Sequence, residues 1–410
     1  MEQLVNKYAQ KLIQAKLGKA SGPSQPIIGG LDDMLVWNRP ARETQVLEKI
    51  FDHLNINSLV FLRPAQPYKS LIRYLANQAL STTNGLIQPK DCETRTFLHD
   101  LPVIDSFNPK KICAVLKNRK SVIINPMDDT DSFEGPAIIA HGTVSPEQGF
   151  VTVSSVCFAG FIKFFTDYLE SLQTGQATQA AHDLFDEITP YIQEEQKKAP
   201  KFIPFPFADE KTVYSAIIEA GRKTVEYGLV DSYFGNVSYL WNGTLYISQT
   251  GSSLDELESC IDPVPLDHST SAGLTASSEL TAHLETISRT GCRAILHGHP
   301  RFSVILSMDC DPMEKATCEF NTQCHIKCPK KRFVDHTPIV PGEVGTGPTG
   351  LCRTLPVALE HSDNAIVYGH GLFTISQDDF SHAFDTLLSV ENRCRNLYFK
   401  KVFRLRNNPS

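Results

Sequence analysis

Apolar residues in the C-terminal half recur at spacings that switch between helix and strand. Over 211–227, Val213, Ile217, Ile218 and Val225 share one side of a helix. Residues 236–239 and 244–248 read as two strands joined across Trp241-Asn242-Gly243. A second helix over 281–289 follows from Leu280, Leu284 and Ile287, and short strands are expected at 293–296 and 365–368. Alternation of this kind predicts an α/β fold of the α/β/α type, a mixed central sheet flanked by helices. At the amino terminus, Leu4, Tyr8, Leu12 and Ile13 lie at helical spacing with charge throughout, so an amphipathic helix is expected there rather than a signal peptide.

The same pattern divides the chain. Between 176 and 208 it turns polar, passes through one helical stretch, and ends with Pro200, Pro204 and Pro206, which no continuous helix accommodates. Domains are therefore expected at 1–175 and 209–410, with 176–208 as linker. Each domain ends on an apolar strand, a His-Gly turn and a long apolar helix, with His141-Gly142 set against His370-Gly371. Upstream, both carry helix, turn, strand, proline and helix. Glu43 falls near the counterpart of Glu279, and Phe61 and Arg63 stand where the second half has His297 and His299. If the halves are two copies, the first has lost two of three histidines.

Composition narrows the class. The 410 residues are 41% hydrophobic and 21% charged, with a formal net charge of -7, so no global basic field suits nucleic acid or an anionic membrane. The most apolar stretch, 150–165, is interrupted by Ser154, Ser155 and Lys163 and is shorter than the roughly 20 residues a spanning helix needs. A cytoplasmic protein is expected, and its 11 cysteines read as thiols or metal ligands rather than disulfides.

Candidate chemistry centres on Arg293-Ala-Ile-Leu-His-Gly-His-Pro-Arg-Phe302. Alternation along a strand sends His297 and His299 to one face, where two imidazoles can chelate an ion, and Gly298 is expected to spare bulk beside it. A third histidine, His370, sits at another strand end between two glycines, and Glu279 offers an acidic group. Three neutral imidazoles with an open position are the ligand set of a catalytic zinc. Ser277 and Ser278 open a helix, where hydroxyls and backbone N–H groups favour an anion, and Gly235 and Gly251 let the backbone approach it. His283, one turn beyond Glu279, reads as a core or surface histidine.

Over roughly 211–399 these residues form an ordered series: GNVS at 235–238, ISQTGSSLDEL at 247–257, SSE at 277–279, LHGHP at 296–300 and GHGLFT at 369–374. The series resembles the class II aldolase and adducin family, most closely its fuculose-phosphate type. The resemblance implies Zn(2+) or another divalent metal on His297, His299 and His370, and Glu279 as acid/base. It places Gly235, Asn236, Thr250, Gly251, Ser277 and Ser278 in a pocket for a phosphate or carboxylate. It further implies a lyase of carbohydrate metabolism that cleaves a C–C bond of a small hydroxylated carbonyl compound through a zinc-stabilised enediolate. Glu279 would need a pKa raised by a dry site. Decarboxylation, epimerisation and a non-catalytic adducin-like binding role are the alternatives. A homo-oligomer, dimer or tetramer, is implied as well.

Three departures bear on this. The family carries a tyrosine from a neighbouring subunit after the second histidine motif, whereas His336-to-Cys352 has none and offers only Glu343. Gln249 precedes Thr250 where proline is common in the family. An inserted stretch brings Cys310, Cys318, Cys324, Cys328 and His325 close in sequence without paired C-x-x-C spacing, and reads as thiols in a long loop, with a structural metal or iron–sulfur cluster as the alternative.

Overall fold

The computed structural model describes residues 1–126, 133–192, 198–230, 233–267, 269–343 and 345–407. The chain divides into two compact units, Met1–Asp167 with Ala177–Glu194 and Tyr168–Gln176 with Glu195–Ser410. The stretch 176–208 therefore contributes to both. It contains a helix, Gln179–Ile188, capped by the Thr178 hydroxyl, and its residues 193–197 lie outside the described residues.

In the first unit, seven described strands run β1 (Ile27–Leu31), β2 (Leu35–Trp37), β3 (Ser58–Leu62), β4 (Leu86–Ile87), β5 (Leu101–Ile104), β6 (Ser121–Ile124) and β7 (Ala137–Gly142). Their order across the sheet is β2-β1-β3-β7-β6-β5-β4, and only β5 and β6 pair parallel. The helices are α1 (Glu2–Gln14), α2 (Thr44–Phe51), α3 (Tyr68–Thr82), α4 (Cys92–Leu98), α5 (Pro109–Leu116), α6 (Pro146–Gln173), whose residues from Tyr168 on are counted with the second unit, and α7 (Gln179–Ile188). Helix α1 is amphipathic as expected, burying Val5, Tyr8 and Leu12.

Helix α6 corrects the expectation at 150–165. It continues to 28 residues, long and apolar enough to cross a membrane, yet 89% of its most apolar window is buried in the protein. The hydrophobicity serves packing: Phe150 meets Tyr8, and Phe164 meets Tyr74 edge-on. Serines within α6 do not interrupt it, because the Ser155 hydroxyl donates to the Val151 carbonyl one turn back.

The second unit holds eight described strands, β8 (Asn236–Trp241), β9 (Thr244–Ser248), β10 (Ile261–Pro265), β11 (Ala294–Gly298), β12 (Arg332–Val334), β13 (Thr337–Val340), β14 (Asn364–Val367) and β15 (Gly371–Ser376). The order is β10-β9-β8-β11-β15-β14-β13-β12, with β13 and β14 the one parallel pair. The β8–β9 turn forms where predicted, because Asn242 and Gly243 both take positive φ, 48° and 76°, which a two-residue hairpin requires. Helices α8 (Glu210–Glu226), α9 (Leu280–Thr290), α10 (Arg301–Ser307), α11 (Pro312–Thr317), α12 (Leu351–Leu359) and α13 (Phe380–Asn407) complete the unit.

Asp209 starts α8 by accepting the Thr212 N–H at 2.8 Å, and Gly291 ends α9 in the left-handed region at φ 68°. Helices α8 and α13 cover one face of the sheet, and α12 packs on α9 and β14. Leu245, Ile287, Ile295, Leu355 and Phe373 fill the core on the α9 and α12 side. Each large side chain fully buried there contributes about 1.5–3 kcal/mol. The result is the mixed sheet between helices that the hydrophobic pattern predicts.

Asp91 in the first unit supplies a test of buried charge. It caps α4, accepting the Thr94 N–H at 2.8 Å, and burial pushes its carboxyl up to about 6. A carboxyl raised in the fold contributes stability that is fully present below its unfolded value of 3.8 and is lost as pH rises through about 6. Asp91→Asn, which keeps the capping acceptor, should abolish about 3 kcal/mol of that decline. Denaturant unfolding of the full chain across this window checks it; identical slopes for the two proteins would refute the assignment.

Candidate metal centre

Three strand ends build the site. His297 is the penultimate residue of β11, His299 follows that strand, and His370 immediately precedes β15. The antiparallel register sets His297 opposite Phe373 on one side and Asn236 on the other. Its ring lies flat on the Phe373 ring, centroids 3.8 Å apart and planes within 10°. Phe234 stacks on His299 in the same way at 5.6 Å.

These constraints drive the three Nε2 atoms together. That of His297 lies 3.1 Å from His370 Nε2 and 3.0 Å from His299 Nε2. The Nδ1–H of His297 donates to the Leu372 carbonyl at 3.2 Å, which leaves its Nε2 as a lone pair facing the other two. Burial pushes the His297 imidazole down to about 3 and holds His299 well below its usual value, so both stay neutral. A single cation at their focus would take one nitrogen from each of the three rings. Among the described residues this is the one group of three or more histidine, cysteine or carboxylate atoms brought together, within 4.8 Å and wholly buried. The residues thus fit a divalent ion with an imidazole preference.

Glycine has a defined part, at a position other than the one predicted. A methyl on Gly298 would strike the Leu229 carbonyl, because that residue faces away from the histidines. Gly371 is the one that spares room: a methyl there would lie 2.4 Å from the Gly298 carbonyl and 2.7 Å from His297 Cε1. On the other flank, Gly235 takes φ +92° with its Cα against the His297 carbonyl.

Glu279 precedes α9 and is buried beside the cluster, its Oε1 3.3 Å from His370 Nε2 and its Oε2 3.6 Å from His297 Nε2. Burial pushes its carboxyl up, yet the net shift is downward, the reverse of the raised value expected for the acid/base role. The His297 and His370 rings and the Asn236 amide outweigh burial and hold it well below the usual carboxylate range. Asn236 donates from Nδ2 to Glu279 Oε2 at 2.5 Å, so it holds the carboxylate rather than lining an anion pocket. His283 is buried, its Nδ1 2.7 Å from the Ser238 hydroxyl, and packs edge-on against Phe373; burial pushes it down to about 4. It supports the floor of the site.

The remaining predicted residues collect on two laced loops. Thr250 N–H donates to the Thr275 carbonyl and Ser277 N–H to the Ser248 carbonyl, at 2.9 and 3.0 Å. Glu279 N–H is taken by the Ser277 hydroxyl at 3.3 Å, so fewer backbone donors remain for an anion than the helix start implied. Thr250, Gly251 and Ser278 are exposed, whereas Ser277 is buried. Gln249, standing where proline is common, donates to Asp262 on β10 at 2.7 Å, and the Thr275 hydroxyl donates to the other Asp262 oxygen, also at 2.7 Å. Glu343 accepts the Thr349 hydroxyl within its own loop. The four cysteines of the insertion are half-buried thiols.

Three supporting contacts carried no signal in the sequence. Glu391 of α13 accepts the N–H groups of Phe302 and Ser303 at 2.9 Å each, anchoring the helix that follows His299. The Ser307 hydroxyl accepts the Gly369 N–H at 2.8 Å, where Gly369 takes φ 58° to turn into His370. Phe373 carries the His297 ring. All three depend on residues about 60 to 90 positions apart in sequence, beyond any local pattern.

Gly371→Ala should weaken metal binding about 10–100-fold, the size of effect that misplacing a ligand's support produces. Competition against a chromophoric chelator measures it, alongside circular dichroism showing the fold intact. Undiminished affinity would show that the two rings tolerate displacement.

The family model of the class II aldolase and adducin N-terminal domain matches residues 215–398. No curated protein sequence matches the chain. Solved structures similar to it include L-fuculose-1-phosphate aldolase from Thermus thermophilus, at 22% identity, covering 47% of this chain and 96% of that one, TM-score 0.37. A sugar-phosphate aldolase from Thermotoga maritima is 18% identical over 48% of this chain and 98% of its own, TM-score 0.33. The N-terminal class II aldolase domain of a protein from Thermoplasma acidophilum is 14% identical over 48% and 97%, TM-score 0.33. Residues 215–398, a little under half of the chain, thus match the class II aldolase and adducin family.

Proposed function

We propose that the second unit is a metal-dependent lyase that cleaves a C–C bond in a small hydroxylated carbonyl compound bearing a phosphate or carboxylate. The observation that carries this reading is the convergence of three buried imidazoles beside a buried carboxylate. A binding module has no physical use for such a cluster.

A divalent ion held by His297, His299 and His370 supplies Lewis acidity, polarising a carbonyl oxygen and easing negative charge on it. The low proton affinity of His297 and His299 favours metal binding over protonation at neutral pH. Glu279, ionised and aimed by Asn236, is the base that takes the proton at the reacting centre and returns it to carbon. Asn236 fixes carboxylate Oε2, and Oε1 faces His370 Nε2 at 3.3 Å. Thr250, Gly251 and Ser278, exposed on the adjoining loops, bind the anionic end of the substrate. The absence of tyrosine from 336–352 keeps decarboxylation or epimerisation on the same centre as the second reading.

Metal analysis of the purified chain should find about one divalent ion, lost in His297→Ala. Glu279→Gln should retain the ion and lower kcat by about 10²–10⁴ on whichever sugar phosphate or hydroxy-keto acid the wild type cleaves. A chain that takes up no metal at all would remove the enzyme reading.

A further inference from the structure

The two units match strand for strand. Setting β1, β2, β3, β7, β6, β5 and β4 against β8, β9, β11, β15, β14, β13 and β12 preserves every neighbour in the sheet, with β10 alone unmatched. It also preserves the sense of every pair, including the single parallel one, β5–β6 against β13–β14. Helices α2 and α9 precede the matched strands β3 and β11, and α6 and α13, each of 28 residues, follow the matched strands β7 and β15. Generic α/β units share a few such features, but not an order held through seven strands.

Register then aligns single residues. His297 faces Asn236 and Phe373 across its neighbours, and Phe61 faces Ile27 and Ile139. With Phe61 at the place of His297, Arg63 takes that of His299. Counting back from Ile139, as His370 lies back from Phe373, gives Pro136. His141 faces Leu59 and so answers to Ile375, which corrects its expected match to His370. All three histidines are therefore replaced. Glu279 is not: Glu43 and Glu279 each stand immediately before the matched helix, α2 or α9.

We infer that the first unit is a diverged copy of the second in which the Arg63 guanidinium has taken the place of the metal as counter-charge to the retained glutamate. Arg63 Nη1 donates to Glu43 Oε1 at 2.7 Å, and both side chains are largely shielded. Arg63 Nε donates to the Glu134 carbonyl at 2.8 Å. The guanidinium lies over Phe61 at 5.1 Å and Phe133 at 4.8 Å, and Phe107 stacks on Phe133 at 4.6 Å. Phe61 thus stands at the place of His297, and it and Phe133 favour a cation above their faces. Burial pushes the Glu43 carboxyl up, and Arg63 outweighs it and holds it below its ordinary value. A guanidinium is permanently charged and presents no open coordination position, so this unit holds its glutamate ionised and binds no divalent ion.

The inference rests on the proposed metal role of the second unit only for the meaning of the three histidines, so its test removes that unit's site. In the full chain carrying His297→Ala, the changes Phe61→His, Arg63→His and Pro136→His should create a site for Co(2+), read as visible ligand-field bands absent from His297→Ala alone. A folded variant that binds no Co(2+) overturns the alignment. A wild type that binds no metal at His297 leaves this comparison readable. If the restored variant does not fold, a cycle of Arg63→Met and Glu43→Gln decides. Arg63→Met alone should lower the urea midpoint, and Glu43→Gln on top of it should recover most of the loss. Strictly additive effects would overturn the counter-charge role.

Discussion

In the second unit the fold brings three imidazole rings together away from water, with His297 Nε2 at 3.0 and 3.1 Å from those of His299 and His370. Nothing local to the histidines enforces it. The β11–β15 register sets the His297 ring on Phe373, and Gly371 lets both strand-end rings approach. Burial then removes the proton that would otherwise separate the rings by charge. A buried cluster of this composition suits a cation, and the sheet is what holds its members together.

Rigid support follows from the same need. His299 and His370 both lie just outside strands, where backbone freedom would let the rings separate. Each is tied from a distance, the first through the helix cap made by Glu391 and the second through Ser307 holding Gly369. Glu391 is itself buried, and burial pushes its carboxyl up. Its bonds to Phe302, Ser303 and the Ser303 hydroxyl offset part of that, and they tie the long α13 helix to the segment that follows His299. Precision at the site thus comes from elements whose own sequence looks like ordinary core.

The parts of this that the sequence displays are those set by short-range periodicity. His-Gly-His at a strand end, the Asn-Gly hairpin and the apolar faces of α1 and α8 are all readable within ten residues. The parts hidden from it need a partner strand. Gly298 and Gly371 both look suitable for clearing space, and only the pleat and register separate them. Asn236 lies in an anion-binding motif, but its place opposite His297 brings its amide to Glu279. Helix α6 has the composition of a spanning segment because it is surrounded by its own fold, a property of topology rather than of the segment. His141 shows the limit most plainly: strand, histidine, glycine and helix recur in both halves, yet pairing places it two strand positions beyond the counterpart of Phe373, on the side away from His370.

Glu43 clarifies what the acidic residue at this place does physically. A carboxylate at the start of a helix, behind a sheet and shielded from solvent, requires a positive neighbour whether or not any reaction occurs. In the second unit the neighbour is proposed to be a metal, which leaves coordination positions for a substrate. In the first it is a guanidinium, whose donors are directed to Glu43 and the Glu134 carbonyl. Loss of the histidines without gain of a cation would have left that carboxylate uncompensated. Arginine at the His299 position resolves this with one substitution, and Phe61 and Phe133 then pack around a charge they attract. Retention of the glutamate in a unit without its imidazoles thus requires a replacement cation, which the Arg63 guanidinium supplies.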